Sequence, residues 1–207
     1  MEAMAGGKSP KGNAKREEIL RVALDVFANS GDDVHSSLRE VARRCGTTTG
    51  GILYYFGSKE NLLVEILKSR DVLSLDVDPE EDENSPYGNA LQQDSKTYYE
   101  QIREVAKNPG LVALFLSQAS QARNVQHPAS EFFRKRYERQ RRYRAQYLEN
   151  RGVKPRHGLS AEAASLLASA ITDGVQLQWL ADPSIDMTSA IHQGMAMLYD
   201  FSQGNTR

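Results

Sequence analysis

The chain has a single cysteine, Cys45, among 207 residues. An intramolecular disulfide is therefore impossible, which fits a reducing, cytoplasmic setting. Long apolar runs are missing too. None approaches the roughly 20 residues that a membrane-spanning helix needs. The first 18 residues are polar and lack the apolar stretch of a signal peptide, so none is expected. Histidine is scarce and scattered, at His35, His127, His157 and His192. No His-Glu-x-x-His, no Glu-x-x-His pair and no phosphate-binding glycine loop occurs. Cys45 falls on an apolar helix face, a poor place for a nucleophile. No catalytic, metal or cofactor site is expected, and an enzyme reading has no residues to carry it. Runs of β-branched residues with period-two alternation are also absent, which argues against a sheet protein. Charge of one sign does not dominate: the formal net charge is -1. That sum leaves a local basic face possible.

What is present is helical periodicity. Ile19, Leu20, Val22, Ala23, Val26 and Phe27 recur at helical spacing and predict a first helix over 14–29, ended by Gly31. Before it, residues 1–14 read as a flexible arm, and the basic residues there run on to Lys15 and Arg16. Ser37, with Glu40 three residues on, has the form of a capping box and predicts a second helix starting after Ser37. Gly46 stops that helix after about two turns. A third helix is expected from near Thr48 to Tyr55, and Ser58 can cap a fourth. The segment 76–86 holds six acidic residues and two prolines and reads as a self-repelling loop. Helices are then expected near 91–107, 110–123, 129–151, 161–181 and 187–202, with Pro109, Pro128, Pro155 and Pro183 between them. The fold class is all-α.

The spacing around Gly46 carries the function. Leu38 begins a helix-turn-helix pattern in which Val41, Ala42, Cys45, Gly46 and Ile52 fall at the fourth, fifth, eighth, ninth and fifteenth places. The small fifth residue lets two steeply crossing helices touch. The glycine accepts a positive φ in the turn, and the fifteenth residue packs the second helix back on the first.

The segment Thr47-Thr48-Thr49-Gly50-Gly51-Ile52-Leu53-Tyr54-Tyr55-Phe56-Gly57-Ser58-Lys59-Glu60-Asn61-Leu62-Leu63 resembles the signature of the TetR family, in register at Leu-Tyr-Tyr-Phe, Ser-Lys-Glu and Leu-Leu. Thr47 departs from it, since an apolar residue is more usual there. The resemblance implies an N-terminal helix-turn-helix DNA-binding domain, here 15–70, and a helical ligand-binding and dimerisation domain, here 71–207. Candidate DNA-contacting residues are Ser37, Arg39, Thr47, Thr48, Thr49, Gly50, Tyr54, Tyr55 and Lys59. Hydroxyls and free N–H groups at a helix N-terminus suit phosphate oxygens. Tyrosines can reach phosphates or thymine methyls. Lys59 lies in a first helical turn, against the helix dipole, where a neighbouring phosphate would explain it. Gly50 and Gly51 are poor helix formers, which suggests that the backbone lies close to something. Arg43 and Arg44 give helix two a basic side or a merely solvated one. Either tyrosine could instead be half-buried core, while Phe56 is assigned to the core. Residues 1–70 hold 11 basic and 9 acidic residues, a net of +2.

The C-terminal half is also similar to TetR-type regulators at Asp173-Gly174-Val175-Gln176-Leu177-Gln178-Trp179-Leu180-Ala181-Asp182-Pro183. Helices over 161–181 and 187–202 are apolar nearly all round, and their alanines permit close approach, so two copies could pair through a four-helix interface. A ligand pocket would draw on Tyr98, Phe115, Gln118, Phe133, Tyr137, Gln176 and Trp179. No charge stands at a surely buried place, which favours an apolar or aromatic effector. Residues 134–144 carry seven basic residues against Glu138 and read as the solvated face of a long helix. The expected function is a homodimeric repressor on a palindromic DNA operator, released by a small molecule. A TetR-like activator or a ligand-independent regulator is the alternative.

Overall fold

The computed structural model describes residues 9–29, 34–73, 95–150 and 152–201. These form nine helices: α1 Pro10–Asn29, α2 Val34–Arg44, α3 Thr49–Phe56, α4 Lys59–Leu73, α5 Ser95–Ala106, α6 Pro109–Gln121, α7 Pro128–Asn150, α8 Ala161–Ala181 and α9 Met187–Leu198. Among the described residues, no helix is long and apolar enough to cross a membrane. The acidic segment 76–86, the expected stop at Gly31 and the expected helical residues 91–94 lie outside the described residues.

The helix boundaries follow local chemistry. Pro109 and Pro128 open α6 and α7, where a missing N–H costs nothing. Ser160 caps α8 by accepting from Ala163 N at 3.1 Å, and Asp186 caps α9 from Ser189 N at 2.9 Å. Two expectations change. α1 already begins at Pro10, so residues 10–14 of the expected arm are helical. α9 ends at Leu198 rather than 202, and Tyr199–Asp200 pairs antiparallel with Lys154–Pro155. Arg156 fixes this ladder, donating its backbone N–H to Leu198 O at 2.8 Å and its Nε–H to Tyr199 O at 3.0 Å. Two-residue strands are too short to carry any periodicity.

The chain divides into two compact units. The first takes the described residues of Met1–Leu73 together with Asn108–Phe132, so α6 joins α1–α4. Its core holds Ile19, Ala23, Val41, Ile52, Leu62, Ile66, Leu67 and Val112, each fully removed from water. The second takes Ser74–Lys107 and Phe133–Arg207. There Ile102, Leu148, Ala164, Ala168, Met187, Ile191, Met195 and Tyr199 form the core. α8 and α9 approach closely at Gly194, where an added Cβ would lie 2.7 Å from Ile171 Cγ2.

Candidate nucleic-acid interface

The turn between α2 and α3 is built by hydrogen bonds within a few residues. Gly46 N donates to Arg43 O at 3.3 Å and Thr47 N to Ala42 O at 2.9 Å, with Gly46 at φ 60°. This is the paired closure that satisfies the last carbonyls of a helix and favours glycine at its left-handed position. The residue after that glycine commonly makes an apolar contact, which is why threonine at position 47 is unusual. Lys15 adds a further cap from α1. Its Nζ donates to Cys45 O at 2.8 Å while gripping Glu18 at 2.9 Å. The Glu18 carboxylate raises the Lys15 pKa, outweighing the loss of hydration. Leu38, Val41, Ala42, Cys45 and Ile52 are all buried, as the motif requires. Burial pushes the Cys45 thiol pKa up, away from the thiolate form.

At the start of α3, Thr48 accepts from Gly51 N at 3.0 Å through its hydroxyl, and its carbonyl accepts from Ile52 N at 3.0 Å. The N–H groups of Thr49 and Gly50 have no acceptor among the described residues and face outward with exposed side chains or none. The two glycines differ. A Cβ on Gly51 would fall 2.3 Å from Thr47 Oγ1, so its close neighbour is the chain itself. A Cβ on Gly50 would meet nothing nearer than Thr48 Oγ1 at 3.8 Å, so that position opens to the outside.

Of the expected contact residues, Thr48, Thr49, Gly50 and Arg39 are exposed, and Thr47, Tyr55 and Lys59 are half-buried. Tyr54 is 64% exposed and stands edge-on to Tyr55, with ring centroids 5.5 Å apart. Ser37 is corrected. It lies inside α2, which starts at Val34, and is only 2% exposed. It therefore neither begins the helix nor offers its hydroxyl to a phosphate, and Glu40 turns to other partners. Ser58 caps α4 as expected, accepting from Asn61 N at 3.0 Å, and Phe56 is buried.

Most of the basic residues have internal duties. Glu40 binds Arg43 at 2.6 Å and Arg44 at 2.8 Å, and these hydrogen bonds hold its pKa down to about 2. Arg44 also reaches Asp25 at 2.6 Å. Arg16 pairs with Glu65 at 2.6 Å and lies over the Phe56 ring at 4.8 Å. Burial pushes the Glu65 pKa up, but hydrogen bonds from Lys68 and Arg16 outweigh it and leave it lowered. Arg39 instead donates to the Ser36 hydroxyl at 3.3 Å, with no carboxylate partner among the described residues. Lys59 Nζ stands 3.8 Å from Glu60.

The expected ligand residues are divided between the two units. Phe115 and Gln118 are buried in the first unit, where Arg70 lies 5.0 Å from the Phe115 ring centre. Phe133 and Gln176 are buried in the second, and Trp179 packs against its core. The side chain of Tyr98 lies outside the described residues. Tyr137 lines a cleft of about 260 Å³ with Arg141, Leu166, Ser169, Ala170 and Asp173. Its hydroxyl donates to Asp173 Oδ2 at 2.5 Å. A second cleft of about 470 Å³ is lined by Arg103, Asp186, Thr188, Ser189 and His192. The premise of no buried charge is also corrected: Arg70 and Arg136 are 8% and 7% exposed. The 134–144 face is thus only partly solvated, since Arg144 also donates to Ser165 O at 2.9 Å. The sequence reading missed the Arg141–Asp173 cleft. The spacings Tyr137 to Arg141 and Ser169 to Asp173 hint at shared helix faces, but which helices meet is not local information.

Residues 19–66 match the family described as bacterial regulatory proteins, tetR family. The HTH-type transcriptional regulator RutR of Escherichia coli (strain K12) is 38% identical over 64 residues, 30% of this chain and 29% of that protein. The chain thus aligns with under a third of that relative's length. Among solved structures, NalD of Pseudomonas aeruginosa, the secondary repressor of the MexAB-OprM multidrug efflux pump, superposes with a TM-score of 0.60. It is 20% identical and covers 93% of this chain and 99% of its own. A transcriptional regulator from Saccharomonospora viridis, solved in complex with choline, superposes with a TM-score of 0.63. It is 19% identical, over 91% of this chain and 99% of its own. These two share the fold across nearly the whole chain, and the signature residues of α3 and α4 fall inside the matched segment. Over residues 19–66 the chain is similar to the tetR family of bacterial regulatory proteins, and its fold matches those two regulators across nearly its whole length.

Proposed function

We propose that this protein is a homodimeric, sequence-specific DNA-binding repressor that leaves a palindromic operator when a small organic molecule binds its C-terminal part. The observation that carries the reading is the outward face of α3. Thr48, Thr49, Gly50 and Tyr54 stand exposed around free backbone N–H groups, on a turn whose interior positions are all filled. Such a face inserts into the major groove while its N-terminus meets phosphate. With so many cations spent internally, one head has a weak electrostatic footprint, and two heads on a two-fold axis would supply the affinity.

Pairing is supported by α8. Leu166 and Leu177 are 52% and 60% exposed on the same stripe as Ala163, Ala170 and Gly174. A Cβ on Gly174 would meet nothing within 4 Å, so this chain's own packing gives no reason for a helix-interior glycine there. A second backbone passing close does. The domain assignment that goes with this reading is a DNA-binding head over 15–70 and an effector and dimerisation part over 71–207. The Saccharomonospora viridis regulator, solved with choline, is the precedent for a small organic effector. Release requires that the effector bind more tightly to a state whose heads are misspaced. Selection of bound fragments from random duplex DNA, at a stated salt concentration, tests the reading. A recovered palindrome is the expected result. No enrichment by folded, dimeric protein would overturn it.

A further inference from the structure

α3 has eight residues, too few to hold a helix on their own, and it buries Ile52 and Phe56. Its attitude is therefore set by what grips its two ends. Both ends meet neighbouring residues of α1. On the α2 side, Lys15 Nζ donates to Cys45 O at 2.8 Å, immediately before the turn glycine Gly46. On the α4 side, the Arg16 guanidinium lies 4.8 Å from the ring centre of Phe56, the last residue of α3, beside the turn glycine Gly57. Arg16 also reaches across that turn to Glu65 of α4 at 2.6 Å. Two consecutive side chains of α1 thus hold α3 from turn to turn.

Neither cation is a bare charge. Lys15 is bound to Glu18 at 2.9 Å and Arg16 to Glu65, and all four side chains are half-buried. A cation already matched by a carboxylate adds little to the counterion release that phosphate contacts give. Resting on the DNA-binding reading above, we propose that Lys15 and Arg16 are a positioning pair for α3. They fix its angle to α1, and they act on operator choice through that angle and not through phosphate contact. Base contacts need side chains placed to within about 0.5 Å, whereas nonspecific binding tolerates a tilted helix. The expected signature is the reverse of that of a phosphate-binding lysine. Removing such a lysine weakens binding to all sequences and lowers the salt slope by about 1.

Lys15→Met and Arg16→Met keep most of the apolar stem and remove the charge. Fluorescence anisotropy of the full-length chains over a range of salt tests the pair. Each variant should lose about tenfold in affinity for the selected operator. Affinity for a scrambled duplex, and the slope of log K against log salt, should stay near the wild-type values. Equal losses on both duplexes overturn the proposal, and a slope lower by about 1 would then assign direct phosphate contact. Unchanged operator affinity also overturns it. Should a methionine variant not fold, Glu65→Gln loosens Arg16 with every cation kept. The preference for operator over scrambled duplex should then fall, and an unchanged preference overturns the proposal. Amide exchange without DNA tests the grip itself. Gly46 and Thr47 in Lys15→Met, and Gly57 in Arg16→Met, should exchange about tenfold faster than in the wild type. Unchanged protection overturns the positioning role. A wild-type chain that shows this grip but selects no duplex overturns the DNA-binding reading instead, which separates the two failures.

Discussion

Two adjacent glycines should respond oppositely to the same methyl group. Both lie in the first turn of α3, and alanine is the better helix former by about 1 kcal/mol in a helix interior. At Gly50 the added Cβ has open space, with Thr48 Oγ1 at 3.8 Å. Gly50→Ala should therefore stabilise the fold by about 0.4–1 kcal/mol, through the unfolded chain. At Gly51 the Cβ would lie 2.3 Å from Thr47 Oγ1 and 3.4 Å from Thr48 Oγ1, the oxygen that caps Gly51 N. Relief requires turning a β-branched side chain with few free rotamers or moving the cap, and such overpacking costs about 1–3 kcal/mol. The two variants should differ by roughly 2 kcal/mol or more in urea unfolding at fixed protein concentration. Operator binding should rank them the other way relative to stability: Gly50→Ala loses affinity despite its added stability, since its methyl projects where the groove floor would lie. The double variant Thr47→Ala with Gly51→Ala should recover most of the lost stability, because the clashing oxygen is gone. Equal stability of the two single variants would refute the assignment of Gly51 to internal packing. Unchanged operator affinity of Gly50→Ala would refute a close approach there.

Tyr54→Ala should weaken operator binding by about 1–3 kcal/mol, read by fluorescence anisotropy at matched salt, with the unfolding midpoint unchanged. Lys59→Ala should lower affinity similarly for all sequences and reduce the slope of log K against log salt by about 1. The Glu40 pKa is held near 2 by Arg43 and Arg44, below its ordinary value of 4.5. A depressed carboxylate keeps its partners above the ordinary value and loses them as the pH falls through the depressed one. The Glu40 carboxyl resonance should therefore titrate near pH 2, not 4.5, and Glu40→Gln should steepen the salt dependence of nonspecific DNA binding by freeing Arg43, while Arg44 keeps Asp25.

The helices and their ends were legible because their causes are local. Gly46 and Gly57 at positive φ, Thr48 and Ser58 as caps, and prolines at the first position of α6 and α7 each act within about five residues. The helix-turn-helix register was legible for the same reason: Leu38, Val41, Ala42, Cys45 and Ile52 form a pattern over fifteen positions, and all are buried. Ser37 shows where such reasoning stops. Its spacing to Glu40 has the form of a cap, but α2 starts three residues earlier and burial of that face takes Ser37 inside.

By itself, the sequence determined that the chain is helical, where most helices begin and end, and which turn joins α2 to α3 in helix-turn-helix register. Dihedral preferences and the apolar period are properties of neighbouring residues, so they can be read without a fold. The tertiary structure alone decided the fate of charge. Lys15 reaches Cys45 across 30 positions, Arg16 reaches Glu65 across 49, and Tyr137 reaches Asp173 across 36. It also placed α6 with α1–α4 and left Gly50 open while closing Gly51. Coulomb and hydrogen-bond energies depend on distance in space, and that distance is set only when the elements pack.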